Sequence, residues 1–304
     1  KIEYEIHEGL AIWQGDIIIG TPDRIATSVA ELATSAPGPF RGVVVDDNGS
    51  NRWPGGVIPY TITDATTSIV LAAIEIIEDQ TPGVTLIPRT SEANYVTFQD
   101  AGGCSSDIGM SGGQQFINLK VNDGVSFCSS GNAAHEILHA LGMYHEHTRC
   151  DRDAFVTIDY TQITSGKENN FYKAGSGSQA GACSGAFDIG TYDYGSMMHY
   201  DAFAFAIGSA PTITAIQPLN GAVMGQRTAV GSTDRATIDA LYGANNAAPA
   251  AVIVGPTGSL LEGSVLTFDA SGTQDADDDE DLLTFSWDFG DGSCGGGTPP
   301  PACS

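Results

Sequence analysis

Residues His135 to Arg149 read H-E-I-L-H-A-L-G-M-Y-H-E-H-T-R, and no other stretch restricts the fold so tightly. His135 and His139 are four apart, so on a helix they share one face a turn apart. Two imidazoles so placed can bind one zinc ion, with Glu136 projecting beside it. Gly142 lets the backbone leave the helix, because glycine tolerates left-handed dihedrals. The chain can then bring His145 back as a third ligand. Three protein ligands leave a position for water, which marks a catalytic rather than a structural site. A helix with surface histidines would not need a helix-breaking glycine between the second and third of them.

The 304 residues have room for one large or two ordinary domains, and an apolar content of 41% is enough for a core. A net charge of −25, from 12 Lys+Arg against 37 Asp+Glu, argues against nucleic acid and anionic membranes as partners. Such acidity fits a soluble protein in salty surroundings or a solvated surface. No apolar run is long enough to span a bilayer. No signal peptide is visible at Lys1, so the expectation is that any such segment has been removed or omitted. The cysteines are even in number, six, with no close C-x-x-C pair. They read as disulfides in an oxidising compartment rather than as reduced thiols.

In chain order, Lys1–His7 alternates like an edge strand, Arg24–Ala33 is weakly helical, and Thr34–Gly42 is a loop open to proteases. Trp53–Ile62 is a turn entering a strand. Thr67–Gln80 predicts a helix capped at Thr66 or Thr67, with apolar residues at 69, 70, 73, 74, 76 and 77, stopped by Pro82-Gly83. Val84–Pro88, Tyr95–Phe98 and Gln115–Leu119 read as strands. Cys104–Gly113 reads as a glycine-rich loop, and the zinc-binding helix is expected to start near Asn132. From Cys150 to Thr191 little is regular beyond a Val156–Ile158 strand and a Tyr160–Ile163 turn. Ser232-Thr233-Asp234 can cap a helix to Tyr242. A mixed sheet with helices, followed by an irregular half, predicts two lobes with a substrate cleft between them. Ala247–Ala251 is a linker, and Val252–Val254, Val265–Phe268 and Leu283–Trp287 read as strands of a small β-sandwich.

The run His135–Asp153 closely resembles the astacin signature H-E-x-x-H-x-x-G-x-x-H-E-x-x-R-x-D-R-D, and Ser196-Met197-Met198-His199-Tyr200 resembles that family's Met-turn. The resemblance implies an α+β, two-lobed metzincin (zincin-like) catalytic domain with a mixed sheet and an active-site helix, of bacterial type. It implies a secreted zinc endopeptidase with Zn2+ as cofactor. It carries zinc ligation to His135, His139 and His145, and general-base work to Glu136. Tyr200 becomes a resting-state zinc ligand that swings away to stabilise the oxyanion. Met198 packs under the metal, and Glu146 receives the mature N-terminus.

Trp13-Gln14-Gly15-Asp16 resembles the proform motif F-x-G-D, so Asp16 is expected on the metal, keeping the enzyme latent until a protease cuts near Arg41-Gly42. A turn aspartate in a surface hairpin is the plainer alternative. Cys104–Cys128 matches a family disulfide. Cys150–Cys183 and Cys294–Cys303 are the remaining expected pairs. Arg227 matches an arginine in the pocket beyond the scissile bond, favouring an acidic residue there, and a structural role is equally open. His7 and His147 are expected at the surface, and His199, Tyr192 and Tyr194 are expected to pack.

Phe268–Gly272 and Trp287–Gly292 resemble a PKD module, here expected to be truncated. The acidic run Asp275–Asp281 is read as a solvated loop, with calcium binding (Ca2+) as the alternative. The expected domains are an inhibitory propeptide, 1–41, a catalytic domain, 42–246, and the linker with its PKD-like partial sandwich, 247–304. Expected partners are protein or peptide substrates, including extracellular matrix proteins, and an activating protease. Nucleic acid and membrane are excluded, and a monomer is expected. The alternative function is adhesion to matrix or polysaccharide through the tail.

Overall fold

The computed structural model describes residues 4–22, 51–122, 125–174, 178 and 188–243, with the backbone alone at 64, 122, 125–126, 285–288 and 294–297. The chain forms two compact units, Lys1–Tyr242 and Gly243–Ser304. The expected Arg24–Ala33 helix, the Arg41-Gly42 cleavage point, Cys183, the Asp275–Asp281 run and Cys303 all lie outside the described residues.

The first unit is built on one mixed sheet. Its strands are β1 (Glu5–His7), β2 (Leu10–Trp13), β3 (Ile17–Gly20), β4 (Val57–Ile62), β5 (Thr85–Pro88), β6 (Tyr95–Gln99), β7 (Cys104–Asp107) and β8 (Gln114–Leu119). Their spatial order is β1-β2-β3-β7-β8-β6-β4-β5. Strands β4, β5, β6 and β8 run parallel, whereas β7 is antiparallel to β8. The N-terminal strands β1, β2 and β3 form an antiparallel meander that joins this sheet by pairing β3 parallel to β7, Ile17 opposite Ser106. Two short strands, β9 (Val121–Asn122) and β10 (Val125–Ser126), form a separate ladder.

Cys104–Asp107 is therefore a strand, where the sequence predicts loop. Its residues, Cys-Ser-Ser-Asp, lack the apolar alternation of a half-buried strand, and its pairing is supplied by neighbours on both sides.

Helix α1 (Thr67–Gln80) buries Val70, Ala73, Ile74 and Ile77, the spacing of one helical face. Thr66 stands at its N-cap, but a short 3-10 turn precedes it and its hydroxyl donates back to Thr63 O (3.0 Å) rather than capping the helix. Helix α2 (Ser130–Ala140) starts before Asn132, because Ser129 and Asn132 form a reciprocal capping box. The two helices pack together, and α2 lies along β7. Between them and the sheet lies a core that includes Ile58, Val96, Phe98, Ile117, Ile137 and Leu138. Trp53 closes it, its indole donating to Ala140 O at 2.8 Å.

After α2 the chain becomes irregular, as its composition implies. Four 3-10 turns lie between Glu146 and Phe171, and β11 (Val156–Ile158) pairs with β12 (Ile213–Ala215), a strand the sequence pattern did not reveal. A second, smaller core of Val156, Ile163, Phe171, Tyr192, Tyr194, Tyr200 and Ile213 sits here. Helix α3 (Ser232–Tyr242) closes the unit, its Tyr242 hydroxyl donating to Leu141 O at 2.8 Å. The fold is α+β, a mixed sheet with few helices. Among the described residues no helix is long and apolar enough to cross a membrane. In the second unit, β13 (Phe285–Asp288) pairs antiparallel with β14 (Cys294–Gly297).

Candidate metal centre

Helix α2 presents His135 and His139 on one face, ring centroids 4.6 Å apart. Gly142 then takes φ +108 and its amide donates to His139 O at 2.8 Å, so the helix ends in a left-handed residue. That turn sends the chain back, and His145 comes within 4.7 Å of His139 and 5.3 Å of His135, measured between ring centroids. The fourth member is Asp16, from the turn between β2 and β3. Its carboxylate lies 3.1 Å from His145 Nε2, 3.5 Å from His135 Nε2 and 3.7 Å from His139 Nε2. One donor atom from each of the four residues falls within 4.8 Å of all the others.

The hydrogen bonds orient these rings. His135 Nδ1 meets Met197 O at 2.8 Å and His139 Nδ1 meets Met143 O at 2.6 Å. Carbonyls only accept, so both Nδ1 atoms carry the proton and both Nε2 atoms are left with a lone pair. Those two Nε2 atoms, with Asp16 Oδ1 and Glu136 Oε2, are buried and have no hydrogen-bond partner. Buried polar atoms are rarely left so. Two such lone pairs, converging with a third imidazole beside a carboxylate, fit a zinc ion. Burial holds His135 and His145 well below the ordinary histidine value and lowers His139 to about 3, so the rings stay neutral, as ligation requires. Burial, and then the charge of Asp16, raises Glu136 well above the usual carboxylate range.

The N-terminal meander does more than place Asp16. Asp16 O accepts from Ser106 N at 3.0 Å, which ties the turn to β7. Gln14 is buried, and its Oε1 lies 3.4 Å from His145 Nδ1. Tyr200 donates its hydroxyl to Gln14 O in a short hydrogen bond. Farther out, Glu5 pairs with Lys167, and Glu8 accepts from Gly102 N at 2.9 Å. The meander thus bonds to both sides of the cleft. The motif in the sequence points to Asp16 and not to Gln14, although Gly15-Asp16 marks a turn and Gln14 takes a left-handed φ of +50 just before it.

The Met-turn is pinned from a distance. Asp234, in the first turn of α3, accepts from Ser196 Oγ at 2.6 Å and from Met197 N at 2.7 Å. The sequence marks it only as a helix-start residue, because its partners are 38 and 37 positions away. Met198 is fully buried in the main core, and its carbonyl accepts from Glu146 N at 3.0 Å. Glu146 is itself buried. Its Oε1 accepts from Asp193 N at 2.8 Å and lies 3.7 Å from Arg149 Nε. Burial outweighs the pull of Arg149 and pushes this carboxyl up to about 8.

A cavity of about 590 Å³ opens beside Asp16, lined by Glu136, Phe127, Asn132, Tyr200, Phe205 and Arg227 among others. Arg227 donates to His199 O at 3.0 Å and Gln226 O at 2.9 Å, so it reaches the pocket and also braces its wall. His7 is exposed. His147 is not at the surface as predicted: it is fully buried, its ring 4.0 Å from the stacked Tyr200 ring and its Nε2 3.0 Å from Asn170 O. The 3-10 turn after His145 aims it inward at the smaller core. His199 hydrogen-bonds through both ring nitrogens, to Tyr200 O (2.6 Å) and the Tyr192 hydroxyl (2.7 Å). Tyr192 stacks on Phe155 at 4.8 Å and meets Tyr194 edge-on at 5.3 Å. Cys104–Cys128 is a disulfide. Cys150 is also disulfide-bonded, and its expected partner Cys183 lies outside the described residues.

Known proteins share this geometry's sequence and fold. A family profile described as Astacin, a peptidase family, matches residues 45–243, and a PKD domain profile matches residues 246–300. Zinc metalloproteinase nas-15 of Caenorhabditis elegans is 33% identical over 242 residues, covering 76% of this chain and 39% of that protein. Astacin-like metalloendopeptidase of Mus musculus is 30% identical over 251 residues, covering 79% of this chain and 53% of that protein. The chain therefore spans well under two thirds of the length of these relatives. Among solved structures, high choriolytic enzyme 1, a hatching enzyme zinc-protease from Oryzias latipes, matches with a TM-score of 0.55 at 30% identity. That match covers 64% of this chain and 96% of that one.

Proposed function

This chain belongs to the astacin family of peptidases, and from that premise we propose that it is a secreted zinc endopeptidase in a latent form, held off by its own N-terminal segment. The observation that carries this reading is the convergence of three imidazoles on Asp16, two of them with a buried Nε2 that has no hydrogen-bond partner. His135, His139 and His145 would hold the zinc. The ion supplies Lewis acidity, acidifying water and polarising a peptide carbonyl.

The protein's own groups do the rest. Glu136 Oε2 has no hydrogen-bond partner and its residue lines the cavity, placed to take a proton from the attacking water and return it to the leaving amine nitrogen. Tyr200, released from Gln14 O, has a hydroxyl free to donate to the developing oxyanion. Met197 O and Met143 O hold the rings of His135 and His139 in place.

In the latent form, Asp16 stands where water and substrate must come. The pairing of β3 with β7 covers a strand edge on which an extended peptide could align. We assign residues 1–41 as the inhibitory propeptide, 42–246 as the catalytic domain and 247–304 as the linker and PKD-like module. An activating protease is a necessary partner in this scheme. Protein or peptide substrates, matrix proteins among them, suit the cleft, and Arg227 in its lining favours an acidic residue beyond the cut. The Cys104–Cys128 bridge supports an oxidising, extracellular setting.

The test is an activation assay on the full chain with a casein substrate. Proteolysis should appear after limited trypsin cleavage and vanish with a chelator, and Asp16→Ala should be active before any cut. An uncut Asp16→Ala protein that remains as silent as the parent, with zinc bound, removes the latency argument. Stoichiometric absence of zinc removes the peptidase argument.

A further inference from the structure

Phe205 has a backbone that its own chemistry does not favour. Its φ is +52, in the left-handed region where an aromatic residue is strained. Thr164 keeps it there, donating both its amide and its hydroxyl to Phe205 O at 2.8 Å each. An antiparallel bridge between Ile163 and Ala206 reinforces the clamp. The ring is only partly buried and lines the cavity, so its own burial is a weak reason to hold a strained backbone.

What the clamp achieves is the placement of the ring. The Phe205 ring lies 5.9 Å from that of Tyr200 and 6.2 Å edge-on from that of Phe171, measured between centroids. It also faces the inhibitory turn. A β-carbon built on Gly15 would fall 3.1 Å from Phe205 Cζ and 3.0 Å from the Tyr200 hydroxyl. Gly15 itself has φ +87, so a side chain there meets backbone strain and a closed wall together.

We propose that Phe205 is a positioning residue: the Thr164 clamp holds its ring against Tyr200, limiting the travel of that tyrosine, and closes a slot that the chain can pass at position 15 only as glycine. This rests on the peptidase reading above, in which Tyr200 must move from Gln14 O to the substrate. A ring fixed beside it narrows the set of positions its hydroxyl can visit, which favours the productive one.

The experiment uses the full chain and two readouts. The first needs no catalysis. Each variant is nicked with trypsin and desalted, and mass spectrometry gives the fraction of the N-terminal segment still bound. Gly15→Ala should weaken retention roughly tenfold more in the parent than in the Phe205→Gly background, because only the parent has the Phe205 side of the slot, the Tyr200 hydroxyl being common to both. Backbone strain at position 15 is common to both and cancels. Equal losses in the two backgrounds overturn the slot.

The second readout is kinetics after activation. Phe205→Gly should lower kcat about tenfold with KM little changed, and Phe205→Tyr, which keeps the ring, should recover most of the loss. Glycine relieves the left-handed backbone but gives up the ring's packing, so the melting temperature of Phe205→Gly is measured beside its kinetics. Phe205→Leu replaces it if it melts earlier than the parent. Unchanged kcat in these variants, with Tyr200→Phe impaired, sinks this inference alone. If Tyr200→Phe and Glu136→Ala are both fully active, the peptidase reading falls with it.

Discussion

The half of the catalytic unit built from sheet and helices and the half built from turns keep their shape by different means. In the first, apolar side chains at regular spacing fill a common core: Val70, Ala73, Ile74 and Ile77 from α1 meet Ile137 and Leu138 from α2. In the second, buried polar groups do much of the holding. Arg149 is fully buried and donates to both carboxylate oxygens of Asp151 and to the carbonyls of Ile189 and Gly190, all at 2.9 Å. Arg152, also buried, reaches the carbonyls of His147 and Phe171. Asp234 pins the Met-turn in the same way. A region with little regular structure has many backbone groups without ladder partners, and side chains must satisfy them. The metal centre is divided accordingly. His135, Glu136 and His139 ride on the helix, whereas Tyr200 and Phe205 belong to the half whose positions depend on polar clamps. Of the four residues that converge, two come from the helix, while His145 follows the Gly142 turn and Asp16 comes from the N-terminal meander.

That contrast can be broken at several points. The largest effect is expected at the rigid helix: Glu136→Ala should cut activity of the cleaved enzyme by about 10³-fold while zinc content stays constant. Retained turnover in a peptide assay would mean the proton acceptor lies elsewhere. In the half built from turns, Arg149→Met should lower stability by roughly 3 to 5 kcal/mol in urea unfolding, because it removes the charged hydrogen bonds to Asp151, Ile189 O and Gly190 O and the guanidinium beside the buried Glu146. In the regular half, Ile77→Ala should cost about 2 to 4 kcal/mol from lost packing, with Ile77→Val near 1. If the arginine proves the milder of the two, the contrast is wrong. The smallest effect is expected at a helix start: Ser129→Ala should cost about 1 kcal/mol and Ser129→Asp should keep most of that, because a side-chain oxygen at this position accepts from Asn132 N. An unchanged melting temperature in Ser129→Ala would contradict that capping bond.

Much of the regular half was legible before any coordinates. Helix α1 and the strands near 85–88, 95–99 and 114–119 follow their apolar patterns, Ser232-Thr233-Asp234 signals the start of α3, and Gly142 marks where α2 must end. Two features there escaped a pattern reading. Cys104–Asp107 carries no apolar alternation, and Ser129 extends α2 by a capping box with an asparagine. The turn-built half was legible only as irregular. His147 gave no sign of burial, since a histidine beside a glutamate and a threonine looks solvated until the 3-10 turn aims it at Tyr200. Phe205 belongs to no motif in the sequence, and only its ring contacts with Tyr200 and Phe171 single it out.

What the residue order determined is the chemistry on offer. It put two imidazoles and a carboxylate on one helix, a third imidazole after a glycine, and an aspartate in a tight turn, because these depend on spacings of a few residues along one backbone. What only tertiary structure decided is where those groups point and what surrounds them. The contacts of His145 with Asp16, Tyr200 with Gln14, and Ser196 with Asp234 join positions 129, 186 and 38 apart. Such contacts exist only once the chain has closed long loops and expelled water between them. No local propensity encodes that closure, because its free energy belongs to the packed whole.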